Sequence, residues 1–216
     1  MELYADPITV NCRKVVAGLD FIGAPYTLKH IDYFKSEQKS PEFMALNPNA
    51  ALPTLVDGDF VLWESNAILQ YAADKIGNTA AYPTDLRTRA DINRWLLWES
   101  SAWFPSCYVF LVEHCVKPLF EAQPDQSLLD AQAEIFHKLA GILDARLATT
   151  KFIVGNTPTI ADLALAAPMH LHPFQKLPLD THSHLRRWMV EHIEPMPCWQ
   201  HSYVGEGFTR ERKTAA

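Results

Sequence analysis

A proline standing directly before a run of β-forming residues, Leu52-Pro53-Thr54-Leu55-Val56, constrains this chain more than any other feature. Pro53 has no N–H to give to a ladder, so it belongs at a strand start beside a bend, and a cis bond is one way to make that bend. The bend leaves neighbouring backbone groups unpaired. Asp57-Gly58-Asp59 then reads as a tight turn between two short apolar strands, and Glu64-Ser65 falls at a helix start, where N–H groups lack intrahelical acceptors. Free polar groups are therefore expected to converge at one edge of a small sheet.

The flanking segments supply the rest of that sheet. Glu2–Ala5 reads as a strand, and Thr9 or Asn11 can cap a helix carrying Val15, Val16, Leu19 and Phe21 towards Gly23. Residues 26–31 form the next strand, so the first thirty residues make a right-handed βαβ unit with parallel strands. A short helix opening at Pro41 precedes the Pro53 hairpin, and a helix from 64 to about 76 closes it. The order β-α-β-α-β-β-α is thioredoxin-like. Residues 78–85 read as a connection rich in Asn, Thr, Pro and Asp, after which the pattern is helical. Ile92, Trp95, Trp98 and Ala102 recur at helical spacing, as do Leu129, Ala133, Phe136, Ala140, Leu143 and Leu147. Pro105 and Pro118 are expected to kink or end the first of these helices. Thr159-Ile160-Ala161-Asp162 has the spacing of a reciprocal helix cap. The expected fold class is thus an α/β thioredoxin-like N-terminal domain, residues 1–78, a linker at 79–86, an all-α helical-bundle C-terminal domain over 87–204, and a polar tail at 205–216.

Composition narrows the function. The 216 residues are 48% hydrophobic with a formal charge of −6, which supports a substantial core and argues against nucleic acid or an anionic membrane as the main partner. A small ligand is favoured. Glu2 and Asp6 without a basic flank do not read as a signal peptide, and the uncharged run 100–112 is too short to span a bilayer. Cys12, Cys107, Cys115 and Cys198 form no CxxC pair, which suits a reducing compartment, so a cytoplasmic location is expected. His170, His172, His182 and His184 invite a metal reading, but residues two apart on a helix do not share a face, and no metal is expected.

Five segments point to one family: residues 7–15 (PITVNCRKV), Lys39-Ser40-Pro41-Glu42-Phe43 with Asn47-Pro48, Leu52-Pro53, Glu64-Ser65, and residues 155–162. In this order the chain resembles a cytosolic glutathione S-transferase of the theta-, phi- or bacterial nu-like type over almost its whole length. The resemblance implies that Leu52 pairs its backbone with the cysteinyl unit of glutathione, with Pro53 as the cis-proline element. It further implies that Glu64 meets the α-ammonium, Ser65 and its helix start the γ-glutamyl carboxylate, and Lys39 the glycyl carboxylate. Thr9 occupies the hydroxyl position that steadies the thiolate, with a threonine where serine is usual. Asn11 can present its amide N–H₂ to the same sulfur and is the co-candidate. Cys12, in the first helical turn, is the alternative redox thiol. Ala50-Ala51 stand where the family commonly has Gly and a polar residue, so one contact to the tripeptide is expected to be missing.

The implied activity is conjugation of the glutathione thiolate, as co-substrate, to a small apolar electrophile. One or two of Trp103, Phe104, Tyr108 and Phe110 are expected to line its pocket. A homodimer contact is implied near Arg87, Arg89, Asp91 and Arg94. Alternatives are a glutathione-dependent disulfide or peroxide reductase and a non-catalytic glutathione-binding protein.

Overall fold

The structure, a computed structural model, describes residues 1–202. It divides into two compact units, residues 1–83 with the C-terminal segment from Pro197, and Thr84–Met196.

In the first unit, strands β1 (Glu2–Ala5), β2 (Thr27–His30), β3 (Thr54–Asp57) and β4 (Phe60–Trp63) form one sheet in the order β2-β1-β3-β4. β1 pairs parallel with β2, while β3 runs antiparallel to both β1 and β4. Helices α1 (Val10–Ile22) and α3 (Ser65–Ile76) pack together, and α2 (Pro41–Leu46) opens on a proline behind the Ser40 cap. Leu3, Leu55, Val15, Leu19, Ile68 and Leu69 are fully buried, each contributing about 1.5–3 kcal/mol of transfer free energy. The packing is close enough that α1 carries Gly18, where a Cβ would stand 2.3 Å from Leu69 Cδ2. α1 ends at Gly23 in the left-handed region, φ 78°, with its N–H returned to Leu19 and Asp20.

α1 is buried on a second face as well, by the helix Pro197–His201. The Arg13 guanidinium lies 4.4 Å from the centroid of the Trp199 ring, donates to Ser202 Oγ at 3.3 Å and to the Trp199 carbonyl at 3.4 Å. That is why residues 197–202 group with the first unit, whereas the sequence pattern runs the helical domain to 204. The connection at 79–86 is likewise partly incorporated. Ala81 and Tyr82 are buried, Asn78 donates to the Ile22 carbonyl at 2.8 Å, and Asp85 caps the next helix. The tail at 205–216 lies outside the described residues.

The second unit opens with α4 (Leu86–Trp98), which continues through a π-helical stretch, Glu99–Trp103, into α5 (Phe104–Leu111). Pro105 does not end this helix. It leaves a carbonyl one turn earlier without its usual N–H, and the wider turn just ahead of it absorbs the change of register. Pro118 sits in the closing 3-10 turn Lys117–Phe120, which stops at Glu121 with φ 58°. α6 (Gln126–Leu147) buries Leu129, Phe136, Ala140, Leu143 and Leu147 on one side, and α7 (Ile160–Ala166) is buried throughout. Thr159 and Asp162 form the reciprocal cap expected at its start. Asp162 also accepts from Ile153 N at 2.9 Å and from Trp188 Nε1 at 3.2 Å, so the cap ties three segments together. No helix among the described residues is long and apolar enough to cross a membrane.

Candidate active site

Strand register brings the polar groups to one end of the sheet. Ala5 pairs with His30, Tyr4 with Thr54, and Thr54 with Trp63. One step beyond these pairs, the loop before α1, residue Pro53 and residue Glu64 all leave the sheet at the same end. Asp6 fastens that end: its carboxylate accepts from Ile8 N at 3.2 Å and Tyr33 N at 3.0 Å, joining the segments that follow β1 and β2.

Thr9 takes the N-cap position of α1 by its backbone, but its side chain caps nothing. Both its N–H and its hydroxyl donate to the Asp6 carbonyl, at 3.0 and 3.1 Å. Asn11, two residues into the helix, is half-buried, and its Oδ1 accepts from Ser65 Oγ at 3.5 Å. Among the described residues its amide nitrogen makes no hydrogen bond. Two of the residues singled out from sequence, on different helices, therefore meet.

Between them lies a residue the sequence did not mark. Lys14 is 1% exposed, and its ammonium donates to Ser65 Oγ at 3.1 Å and to Asn66 Oδ1 at 3.3 Å. A lysine reads as a solvated surface charge unless its neighbours are known. The one available signal was its spacing, three residues after Asn11 and so on the same face of α1. Asn66 was missed for the same reason.

Leu52 precedes Pro53 through a cis bond. Asn47, itself buried, holds this loop by donating to the Ala51 carbonyl at 2.9 Å and to Thr54 Oγ1 at 3.0 Å. The N–H and C=O of Leu52 lie between these tethers and make no hydrogen bond among the described residues. Ala50 has φ 50°, a left-handed conformation that a glycine would adopt without strain. Glu64, exposed, holds φ 74° and makes no side-chain cap, so its carboxylate is not used to start α3. Lys39 is exposed at the end of the short 3-10 turn Glu37–Lys39 and forms no ion pair among the described residues.

Cys12, the alternative thiol, is fully buried on another face of α1. Burial pushes its pKa up to about 12, and the hydrogen bond with the Thr9 side chain only partly offsets that. At neutral pH it is a protonated thiol inside the core, the opposite of a reactive cysteine. In the helical unit, Trp103 and Phe110 are committed to the core, Trp103 through a hydrogen bond to the Leu165 carbonyl at 2.9 Å. Phe104 and Tyr108 stack on each other at 5.3 Å, with Tyr108 exposed. Asp91 is paired with Arg94 and with Arg146. Among the described residues no group of three His, Cys, Asp or Glu could hold a metal; His170 bonds the Ala167 carbonyl and His172 faces Glu194.

The fold class is thus a thioredoxin-like α/β unit, with unpaired backbone at Leu52, followed in one chain by an all-helical unit. Comparison with known proteins narrows the class. Residues 2–74 match the family described as glutathione S-transferase, N-terminal domain, and residues 106–194 that described as glutathione S-transferase, C-terminal domain. A probable glutathione S-transferase of Oryza sativa subsp. japonica is 31% identical over 195 residues, covering 88% of this chain and 90% of its own. The crystal structure of glutathione transferase F7 from Populus trichocarpa superposes with a TM-score of 0.85 at 28% identity, covering 96% and 98% of the two chains. Glutathione S-transferase I from maize, in complex with an atrazine glutathione conjugate, superposes at 0.83 with 27% identity, covering 93% and 95%. The chain belongs to the glutathione S-transferase family.

Proposed function

We propose that this protein is a glutathione transferase that joins the thiolate of glutathione to a small apolar electrophile. The observation that carries the reading is the convergence, at one end of the sheet, of the unpaired Leu52 backbone, the start of α3 at Ser65, and the Asn11 amide at the start of α1. Glutathione would add to the edge at Leu52 as a short strand. Its γ-glutamyl carboxylate would meet the Ser65 N–H and the positive end of α3, and its α-ammonium the Glu64 carboxylate. Lys39, exposed and without an ion-pair partner among the described residues, would meet the glycyl carboxylate.

The reaction needs a thiolate. The thiol loses its proton to solvent, the sulfur pair forms the new C–S bond, and the leaving group departs with its electrons. Lowering a thiol from about 8.5 by two units takes roughly 2.7 kcal/mol of preference for the anion. Donors from Asn11 and Thr9, together with the N-terminus of α1, are of the right size to supply it. Kinship with the bacterial theta, phi or nu-like type, a homodimer and a cytoplasmic location belong to the same proposal; they are supported by residues 7–15, by the family, and by four buried cysteines that form no disulfide among the described residues.

Isothermal titration with glutathione, followed by conjugation of a generic aryl halide, tests the reading. Binding with turnover is expected. Failure to bind at millimolar glutathione refutes it, and binding without turnover on a panel of aryl halides and activated alkenes leaves a glutathione-binding protein.

A further inference from the structure

We propose that Lys14 is a positioning residue: acting through the Ser65 hydroxyl, it fixes which end of the Asn11 amide faces the glutathione sulfur. The proposal rests on the reading of this site as a glutathione site.

The argument is one of hydrogen-bond polarity. An ammonium has donors and no acceptor, so Ser65 Oγ, 3.1 Å from Lys14 Nζ, has to accept from it. The hydroxyl has one proton, and with Lys14 on its acceptor side that proton points on to Asn11 Oδ1 at 3.5 Å. An amide whose oxygen receives a proton from one side turns its N–H₂ to the other. Asn11 Nδ2 makes no hydrogen bond among the described residues, so it is available to a ligand at the start of α1.

Remove the ammonium and the chain loses its direction. The Ser65 hydroxyl is then as able to accept from Asn11 Nδ2 as to donate to Oδ1, and the flipped amide presents an oxygen lone pair to the sulfur. A thiolate next to that oxygen is repelled instead of held. Lys14 is suited to the task because it is 1% exposed and held by a second acceptor, Asn66 Oδ1 at 3.3 Å, so its head does not swing to solvent. Asn11 and Lys14 are three residues apart, on one face of α1, so both reach α3 together.

The test is a double-mutant cycle on the ionisation of bound glutathione, followed by thiolate absorbance against pH in the wild type, Lys14→Met, Asn11→Ala and the double variant. Each single variant is expected to raise the thiol pKa by about one to two units. The double variant is expected to match Asn11→Ala alone, because Lys14 has no effect once the amide it orients is gone. A merely structural role, or a through-space effect of the charge, gives shifts that add. Ser65→Ala, which keeps the lysine and breaks the relay, serves as the second arm should Lys14→Met fold poorly, and it too is expected to be silent in the Asn11→Ala background. Additive shifts, or no shift with Lys14→Met, overturn the role of Lys14 while leaving the glutathione site intact. Absence of glutathione binding by the wild type overturns both.

Discussion

The thiol end of the site offers two donors, Thr9 and Asn11, and the structure ranks them. The Thr9 hydroxyl is already spent on the Asp6 carbonyl at 3.1 Å, whereas the Asn11 amide nitrogen has no partner among the described residues. A neutral hydrogen bond contributes about 1 kcal/mol net, and one to a charged group about 1.5–3 kcal/mol. Turning the Thr9 hydroxyl to a thiolate therefore gains only about 0.5–2 kcal/mol, while Asn11 gains its full 1.5–3 kcal/mol. At about 1.36 kcal/mol per pKa unit, Asn11→Ala should raise the pKa of bound glutathione by about one to two units and Thr9→Ala by less, about 0.4 to 1.5 units.

The assay is the thiolate absorbance of the bound tripeptide against pH, paired with conjugation rates at a pH below the wild-type thiol pKa. There a thiol pKa higher by one leaves about tenfold less of the reactive thiolate, so Asn11→Ala should lose about 10- to 100-fold in rate and Thr9→Ala about 2- to 30-fold. Thr9→Ser, which keeps the hydroxyl and loses the methyl, should stay close to wild type. A larger pKa rise in Thr9→Ala than in Asn11→Ala would refute the ranking. It would mean that ligand binding releases the Thr9–Asp6 contact at little cost.

Three further outcomes follow from the packing. Gly18→Ala drives a methyl into the fully buried Leu69, and should cost about 1–3 kcal/mol in thermal or urea unfolding. Cys12 should resist iodoacetamide at neutral pH until the protein is unfolded, as read by mass spectrometry, because burial pushes its pKa up to about 12. Asp162 is raised by complete burial to about 6 against four hydrogen-bond donors, so its protonated form is favoured by folding; the stability it contributes is present below about pH 4 and lost as pH rises through about 6. Asp162→Asn should flatten that part of the stability profile in melts at stepped pH. It should also lower stability overall, by about 1–3 kcal/mol for each buried donor left without an acceptor.

What the sequence disclosed and what it hid divide along a physical line. The Pro53 strand start, the Gly23 helix stop and the Thr159–Asp162 cap are local, written in residues a few positions apart, and each appears where the pattern puts it. Lys14 on Ser65 and Arg13 under Trp199 join residues 51 and 186 positions apart. Nothing about a lysine or an arginine in a helix announces that a distant segment will close over it. Thr9 shows the same limit at short range: its position at the start of α1 is legible, but not that the preceding turn aims its hydroxyl at Asp6. Pro105 reads as a helix breaker on sound grounds, yet a π-helical turn one step earlier lets the helix continue.

Neighbouring residues 11 to 14 of α1 illustrate how one helix serves two ends at once. Cys12 is buried in the core, and Arg13 is held by Trp199 and Ser202 of the C-terminal segment. Asn11 and Lys14 face α3 and Ser65. The two buried cations cannot exchange roles, because a guanidinium is a planar fork suited to stacking on an indole, and an ammonium is a compact set of donors suited to a hydroxyl and an amide oxygen. Lys14→Arg and Arg13→Lys are therefore both non-conservative here. The first disturbs the polarity of the Ser65–Asn11 contact, and the second loosens the cover over α1.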